Sequence, residues 1–294
     1  MKKPVFYKMK VSAKKNSKYI EEQVEAYNFA QVPPEKGAEE EDLVFKITND
    51  KGEIIAGCIL EIYQWKVADL DILWVSEPFR RQGLGSALIK RAEEAAREKG
   101  CYAVILGTFD FQARPLYEKH GYTLTGINRD CPKGHENYSM MKRLDRPSKT
   151  YVPSKTCAYE IQTGTEEDGE FIGDGLGAYN DAQTNLPDTY IKLNRKLVDE
   201  NGKLVAAIMA GVDGWGIGCV FALWVEEAYR KQGLGSRLLR HFEETAKKKG
   251  AYMTHVFKVF DWQADFFKKN GYTVGGNYPD VPRGHAVFEM QKEL

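Results

Sequence analysis

Along the first half of the chain, short apolar runs alternate with longer amphipathic segments, a pattern that predicts strands mixed with helices. The apolar runs predict strands at residues 6–11, 43–49, 54–63, 67–75 and 102–108, with a final strand pair after them. The amphipathic segments predict helices at residues 17–28, 86–99 and 112–120. Gly100 and Gly121 follow the last two helices, as is typical of helix C-termini. This order of elements predicts an α/β (α+β) domain with one central sheet.

The same pattern occurs twice, with a period of 150 residues. Gly83 and Gly233 occupy equivalent places in the two copies, as do Trp74 and Trp224. A period this long far exceeds that of a solenoid, so it indicates a duplicated domain. We therefore expect an N-terminal domain at residues 1–146, a proline-containing polar linker at residues 147–156 and a C-terminal domain at residues 157–294.

Composition narrows the class of protein. The 42 basic residues balance the 42 acidic ones, so no net field favours nucleic acid or a membrane as partner. The five cysteines form no CxxC pair, which argues against a disulfide framework or a zinc site and fits a reducing cytoplasm. We find no signal peptide and no apolar stretch of membrane-spanning length, and we expect a cytoplasmic protein without a metal.

A glycine-rich turn joins an apolar strand to an amphipathic helix in each copy. Glycines let the backbone approach a ligand closely, and the free N–H groups and dipole of a helix N-terminus attract phosphate. A plain strand–turn–helix is the alternative, but positive charge at a helix start is unfavourable for the dipole, and here it occurs twice. We therefore predict two pyrophosphate-binding turns. Their residues are Arg80, Arg81, Gln82, Gly83, Leu84, Gly85 and Ser86 in the first copy and Arg230, Lys231, Gln232, Gly233, Leu234, Gly235 and Ser236 in the second.

These turns resemble the GNAT superfamily of acyl-CoA-dependent N-acetyltransferases, whose signature (Gln/Arg)-x-x-Gly-x-(Gly/Ala) follows the fourth strand. Residues 113–122 also match that superfamily's downstream pattern, Ala-x-x-(Phe/Leu)-Tyr-x-x-x-Gly-(Phe/Tyr). The resemblance covers most of the chain and is weakest at residues 1–50 and 151–200. Two residues depart from it: Asp110 and Asp261 stand where the family often has Asn.

The resemblance implies two tandem GNAT-like domains, each a mixed, mostly antiparallel twisted sheet flanked by helices. A splay between the central strands would admit acetyl-CoA. The implied activity is transfer of an acetyl group from acetyl-CoA to a primary amine by direct attack in a ternary complex. A small metabolite, an antibiotic amine and a peptide N-terminus all remain possible acceptors. The acyl-chain length and the oligomeric state are open.

The resemblance also implies roles for residues near the first turn. The backbone of the strand end would contact the pantetheine arm and offer an oxyanion donor; its residues are Leu73, Trp74 and Val75, with Val225 in the second copy. Tyr117 is the candidate general acid for the departing thiolate, the alternative being a tyrosine packed between sheet and helix. Asp69 and Asp71 share one face of their strand and are the candidate bases. The alternative for each aspartate is a solvated strand face without a catalytic role. Glu61, Glu77 and a water relay are the alternative routes for the proton.

The two copies differ at these proton-handling positions. Asp69 corresponds to Cys219, Asp71 to Phe221 and Tyr117 to Phe267, whereas the turn is retained. We predict that the first copy is catalytic and that the second binds acyl-CoA without turnover or is structural. The alternative function for the whole chain is a non-catalytic acyl-CoA-binding sensor or regulatory protein.

Two further features repeat without a decided role. His135 and His285 end an Asp-x-Pro-x-Gly-His loop, for which we favour turn chemistry over catalysis. Asn28 and Asn180 each follow Ala-Tyr near the first helix of their copy, where lining the cleft and helix capping explain them equally well.

Overall fold

The computed structural model describes residues 7–13, 16–147, 151–184 and 189–294. Residues 1–6 and 148–150, which the expected N-terminal domain and linker include, lie outside the described residues, as does the start of the strand expected at residue 6. The first repeat contains β1 (Lys8–Val11), α1 (Ser17–Gln31), β2 (Glu41–Thr48), β3 (Ile54–Tyr63), β4 (Val67–Val75), α2 (Leu84–Glu98), β5 (Ala103–Phe109), α3 (Arg114–Lys119), β6 (Thr123–Arg129) and β7 (Glu136–Arg143). The second contains β8 (Gln162–Thr163), α4 (Glu166–Thr184), β9 (Tyr190–Lys192), β10 (Arg195–Val198), β11 (Leu204–Asp213), β12 (Ile217–Val225), α5 (Leu234–Lys248), β13 (Met253–Phe260), α6 (Asp261–Lys269), β14 (Thr273–Pro279) and β15 (Ala286–Glu293).

The strands form two sheets of mostly antiparallel pairs, flanked by helices, which confirms the predicted fold class. One sheet has the order β6-β7-β5-β4-β3-β2-β8, and the other β1-β10-β11-β12-β13-β15-β14, with β9 on β11. At the centre of each sheet one pair is parallel, β4 with β5 and β12 with β13. A parallel pair needs a crossover connection, and α2 and α5 supply it.

The chain divides into two compact units that do not follow the sequence repeat. The first-repeat unit consists of the described residues from 34 to 184 together with Gly276–Val287. The second-repeat unit consists of the described residues up to 33, those from 189 to 275, and Phe288–Leu294. The expected boundaries at residues 146 and 157 describe the sequence repeat, whereas the compact units assign β1 and α1 to the second-repeat unit and β8 and α4 to the first.

The exchanged helices are held by apolar contacts and strand pairing. Ile20 of α1 is fully buried in one cluster with Ala207, Ala222 and Trp224. Ile172 of α4 is fully buried in the first-repeat unit. β1 pairs antiparallel with β10, and β8 pairs antiparallel with β2. Each helix therefore completes the core of a sheet that belongs to the other repeat in sequence.

An ion pair ties the crossover helix to its sheet in each unit, buried in the first-repeat unit and partly buried in the second. Lys142 Nζ donates to both carboxylate oxygens of Glu93 at 2.7 Å, and both side chains are buried. Lys292 Nζ donates to Glu243 at 2.7 Å in the equivalent place. Buried charges must be paired, so the Lys142–Glu93 pair specifies how α2 docks on β7. Both residues of the pair recur at the 150-residue period, which is the sequence signal for these contacts.

Candidate functional site

The central parallel strands separate along their length in both units. β4 and β5 pair from Val67–Ala103 only as far as Asp69–Ile105, although β4 continues to Val75. β12 and β13 pair only as far as Val220–Val256, although β12 continues to Val225. The far half of each strand, including Leu73 and Trp74, stays paired on one edge with β3 or β11. Its other edge has no strand partner and therefore offers backbone groups to a cleft.

Each cleft ends at a glycine-rich turn with the same backbone path. Arg81 and Gly83 have φ of 58° and 92°, and Lys231 and Gly233 have φ of 60° and 77°. Gly83 is the N-cap of α2 and Gly233 that of α5, and neither position carries a side-chain cap. The first N–H groups of a helix have no intrahelical partner, so the N–H groups at Leu84, Gly85 and Ser86 are available to a ligand, as are those at Leu234, Gly235 and Ser236.

The arginine of each turn is hydrogen bonded to the strand end, and the glutamine to the short segment between strand and turn. Arg80 Nε donates to the Val75 carbonyl at 3.0 Å, and Arg230 Nε donates to Val225 at 3.1 Å. Gln82 Nε2 donates to the Pro78 carbonyl at 3.0 Å, and Gln232 Nε2 donates to that of Ala228 at 3.4 Å. These contacts leave other guanidinium N–H groups for an anion.

The clefts fit a nucleotide cosubstrate in size, and the glycine after the first residue of each helix faces a side chain across the cleft. The first-repeat unit has a cavity of about 490 Å³ and the second-repeat unit one of about 470 Å³. An ideal Cβ on Gly85 would lie 3.4 Å from Leu116, and one on Gly235 would lie 3.2 Å from Phe266. Any larger side chain at either position would therefore fill the cleft beside the helix N-terminus.

Tyr117 of α3 lines the first cavity and is 6% exposed. Its ring meets that of Tyr122 edge-on, with centroids 5.7 Å apart. Burial, and then the neighbouring Cys58, raise the pKa of the Tyr117 phenol above its ordinary value. The phenol therefore carries its proton at neutral pH, and it is a weaker acid than a free tyrosine.

The two candidate bases lie in different environments. Asp71 is exposed and lines the same cavity as Tyr117, because β4 bulges there: Ile59 pairs with Ile72 and Glu61 with Asp69. Bulges re-aim side chains and are common beside active sites.

Asp69 is buried, 9% exposed, and is not among the residues that line the first cavity. The Tyr63 hydroxyl donates to Glu61 and lies 3.3 Å from Asp69 Oδ2. Burial, and then the charges of Asp69 and Glu61, raise the pKa of Tyr63, so that it stays a neutral donor. The structure thus brings Asp71 and Tyr117 to one cavity and places Asp69 beside it, in a polar cluster with Tyr63.

The exchanged helices contribute to the clefts. The Arg80 guanidinium lies over the Tyr179 ring of α4 at 4.5 Å, and Gln112 Nε2 donates to Asn180 Oδ1 at 2.8 Å. In the second-repeat unit, Arg230 lies over Tyr27 of α1 at 4.8 Å. The repeated Ala-Tyr-Asn therefore anchors each helix beside the turn of the opposite repeat, a role that the sequence left undecided.

The connecting segment reaches the first turn. Tyr151, Pro153, Ser154 and Lys155 line the first cavity. An ideal Cβ on Gly83 would lie 2.5 Å from the Lys155 carbonyl oxygen, so glycine is required there for space as well as for its positive φ. Sequence patterns treated this segment as a linker and gave no signal that it lines the cleft.

The second-repeat unit has the same cleft without the proton-handling groups. Phe267 meets Tyr272 edge-on at 5.6 Å, as Tyr117 meets Tyr122, so the two positions are structurally equivalent. β12 bulges at Phe221, because Met209 pairs with Ala222 and Ala210 with Val220. The hydroxyl and the bulged carboxylate of the first cleft are thus replaced by two phenylalanines.

The remaining candidate, His135, lies in a turn. Its Nδ1 is 3.0 Å from Asp110 Oδ1, and its backbone N–H donates to the Pro132 carbonyl at 2.8 Å. Neither His135 nor Asp110 lines the first cavity. In the described part of the chain, no group of three or more His, Cys, Asp or Glu residues is arranged to hold a metal, and no helix is both long and apolar enough to span a membrane.

Comparisons with known proteins point to one family. The sequence model of the Acetyltransferase (GNAT) family matches residues 12–122 and 158–272. Blasticidin-S acetyltransferase of Streptomyces morookaense is 40% identical over 96 residues, which cover 32% of this chain and 70% of that protein. An acetyltransferase of Agrobacterium fabrum is 30% identical over 128 residues, which cover 43% of this chain and 90% of that protein. A crystal structure of an acetyltransferase from Bacillus cereus, 35% identical, covers 46% of this chain and 96% of its own, with a TM-score of 0.44.

Proposed function

The chain belongs to the acetyltransferase (GNAT) family, and from that premise we propose that its first-repeat unit transfers an acetyl group from acetyl-CoA to a primary amine of a small molecule. One observation carries the proposal. Asp71 and Tyr117 line the same cavity as the glycine-rich turn, whereas the equivalent cavity of the second-repeat unit has Phe221 and Phe267 in their places.

Binding of acetyl-CoA is assigned to the turn and the strand end. The N–H groups of Leu84, Gly85 and Ser86 and the positive end of α2 receive the pyrophosphate. Arg81 and the remaining guanidinium N–H groups of Arg80 add charge-assisted contacts. The backbone of residues 73–75, on the edge of β4 that lacks β5 as a partner, holds the pantetheine arm. One of its N–H groups stabilises the negative charge that develops on the carbonyl oxygen.

Proton transfer is assigned to two side chains. Asp71 accepts a proton from the incoming ammonium group, directly or through water, so that the neutral nitrogen attacks the thioester carbonyl carbon. Tyr117 donates its phenolic proton to sulfur as the carbon–sulfur bond breaks. The nitrogen loses a second proton, which restores Tyr117, and Asp71 releases its proton to solvent. The products are the amide, the CoA thiol and one proton. Asp69, hydrogen bonded within the Tyr63 cluster, is assigned an indirect electrostatic role.

The acceptor class follows from the charge at the cleft and from one relative. Asp71 attracts an ammonium group to the open end of the first cavity, which fits a cationic small molecule. The relative from Streptomyces morookaense is named for acetylation of blasticidin S, so amine-bearing antibiotics belong among the first acceptors to test. The second-repeat unit is assigned a binding role without turnover.

The test is release of thiol from acetyl-CoA by the full-length protein, followed with a thiol-specific chromogenic reagent. Blasticidin S, polyamines and an N-terminal peptide amine serve as acceptors. Amine-dependent thiol release and detection of the acetylated amine by mass spectrometry are the expected results. Tight binding of CoA with no thiol release in the presence of any amine would instead support the alternative function, a non-catalytic acyl-CoA-binding sensor.

The assignment of Asp71 is tested separately with Asp71→Asn. Glu77→Gln is the comparison, because Glu77 is an exposed acid, one of the alternative bases and absent from the cavity lining, and the assignment predicts a rate near wild type for it. Near neutral pH we expect Asp71→Asn to lower kcat about 10²-fold, the ordinary size of a general-base effect. The rate of the variant should recover above the pKa of the acceptor amine, because the amine then arrives neutral. A deficit that is the same at every pH would contradict the role as base.

A further inference from the structure

The cleft of the second-repeat unit has a distinct lining at the end where an acyl group would lie. We propose that this cleft binds a CoA thioester whose acyl group is apolar and larger than acetyl, and holds it without transfer. The inference rests on the proposed function, because it takes both glycine-rich turns to be CoA sites.

The half of the cleft that would receive the nucleotide is retained. Lys231 and Gly233 have φ of 60° and 77°, close to the 58° and 92° of Arg81 and Gly83. The cavity volumes are also similar, at about 470 and 490 Å³. An ideal Cβ on Gly233 meets no atom of the described residues within 4 Å, so this turn is open to a ligand. A unit that had lost CoA binding would have no reason to retain these features.

Phe221 and Phe257 line the other end of the cleft. Together with Tyr190, which contacts Phe221 from outside the cavity lining, they form an aromatic platform. The Phe221 and Phe257 rings face each other across the splayed strands, with centroids 6.2 Å apart and planes 15° apart. Tyr190 meets Phe221 at 6.1 Å. These three side chains are 47%, 57% and 39% exposed, respectively.

The first repeat has Asp71 and Gly107 at the positions of Phe221 and Phe257, so the platform distinguishes the second cleft. When an apolar group covers large apolar rings at the mouth of a cleft, the buried apolar surface makes binding more favourable. An acyl chain longer than acetyl reaches such a surface, because it continues from the thioester beyond the carbonyl carbon.

The charges at the second cleft favour an anionic ligand and disfavour an ammonium acceptor. The charged residues that line it, within the described part of the chain, are Arg230, Lys231 and Lys258, with no Asp or Glu. His255 lies behind the platform, 2% exposed, with its ring centroid 4.2 Å from that of Phe257. Burial lowers the pKa of His255, so this side chain adds no positive charge at neutral pH. With Phe267 in place of Tyr117, the cleft also has no phenol to protonate a thiolate.

The test compares acetyl-CoA with hexanoyl-CoA by titration calorimetry on the full-length chain. Gly85→Trp fills the first cleft, so that the remaining heat reports the second. We expect one equivalent of hexanoyl-CoA to bind about tenfold or more tightly than acetyl-CoA, the effect of burying roughly two methylene groups. Adding Phe221→Asp should reduce that preference to about threefold or less, whereas Phe221→Leu, which keeps an apolar side chain, should largely preserve it.

If Gly85→Trp fails to fold, as judged by circular dichroism, wild type and Phe221→Asp carry the same test. The substitution should then weaken hexanoyl-CoA at one of two sites and leave the other unchanged. Equal affinities for the two thioesters, or a second cleft that binds neither, would overturn the inference. Amine-dependent thiol release by the wild type in the same preparation would show that the proposed function survives that result. A wild type with neither CoA binding nor thiol release would overturn both.

Discussion

At the scale of single residues, the two clefts differ by small groups in equivalent packing. Tyr117 and Phe267 both meet a buried tyrosine edge-on, so the first-repeat unit gains only a hydroxyl. Asp71 and Phe221 are both the exposed residue at a strand bulge. Because the surroundings match, substitutions at these positions test chemistry with little disturbance of the fold.

Tyr117→Phe should lower kcat about 10²-fold with a smaller change in KM, because it removes the proton donor while keeping the ring that packs beside the cleft. Steady-state kinetics with acetyl-CoA and the best acceptor measure the effect. Tyr122→Phe is the matched control, because it removes a hydroxyl from a buried ring 5.7 Å away that does not line the cavity. Similar rates for Tyr117→Phe and wild type would refute the role as acid.

His120 makes the first-repeat unit sensitive to acid. It is 5% exposed, its Nε2 has no hydrogen-bond partner among the described residues, and its pKa is lowered to about 4 by burial and then by Lys142 and Lys90. An unfolded histidine takes up a proton near pH 6.5. Below that pH the unfolded chain therefore binds a proton that the folded chain resists, and stability falls until about pH 4.

His120→Asn should remove this pH dependence. Asn270 occupies the equivalent position in the second repeat, where its Nδ2 donates to the Phe266 carbonyl at 2.8 Å. Between pH 7.5 and pH 5 we expect His120 to cost the wild type about 2 kcal/mol of unfolding free energy, a loss that the variant escapes. Urea denaturation at the two pH values measures the difference. Equal losses in the two proteins would mean that His120 is protonated in the folded state.

At the scale of elements, the packing of α4 against its sheet depends on one glycine. An ideal Cβ on Gly57 of β3 would lie 2.2 Å from Ile172 Cδ1 and 2.8 Å from the Phe45 carbonyl oxygen. In the second-repeat unit, α1 places Ile20 in one cluster with Ala207, the residue equivalent to Gly57. Both helices therefore bury an isoleucine, but the isoleucine of α4 packs against a glycine and that of α1 lies in a cluster with an alanine at the equivalent position.

Gly57→Ala should destabilise the protein by about 1–3 kcal/mol, because the new methyl group overlaps Ile172. Thermal and urea denaturation measure the loss. Combining it with Ile172→Ala, which removes both overlapping atoms, Cγ1 and Cδ1, should make the combined loss smaller than the sum of the two single losses, although Ile172→Ala alone costs about 2–5 kcal/mol. Purely additive losses in the double variant would mean that α4 does not meet β3 through this contact.

At the scale of the whole molecule, each cleft draws on both repeats of the sequence. Tyr179 and Asn180 of α4 lie beside the first turn, and Tyr27 and Asn28 of α1 lie beside the second. A cut between the repeats therefore removes from each unit one of the helices that cover its sheet.

We expect the separate fragments 1–150 and 151–294 to be less stable than the intact chain, because each lacks part of the apolar cover of its sheet. Mixing them in equal amounts should restore the melting temperature and CoA binding. Differential scanning calorimetry and analytical ultracentrifugation of each fragment and of the mixture measure this. A fragment 1–150 that alone matches the intact chain in stability and CoA affinity would mean that α1 serves its own repeat equally well.

The sequence by itself determined the local features: the duplicated order of strands and helices, the two glycine-rich turns and the α/β class. These depend on neighbours close in the chain, namely periodicity, glycine conformation and helix ends, so pattern alone was sufficient. The predicted helices at residues 86–99 and 112–120 differ from α2 and α3 only at their ends.

Only the tertiary structure decided which sheet α1 and α4 cover and which aspartate reaches the cavity. Both helices bury an isoleucine and carry Ala-Tyr-Asn, so their sequences fit either sheet. Asp69 and Asp71 alternate identically in sequence, and the bulge that separates their environments arises from pairing with β3. Both outcomes depend on contacts between residues far apart in the chain, and that is why periodicity did not reveal them.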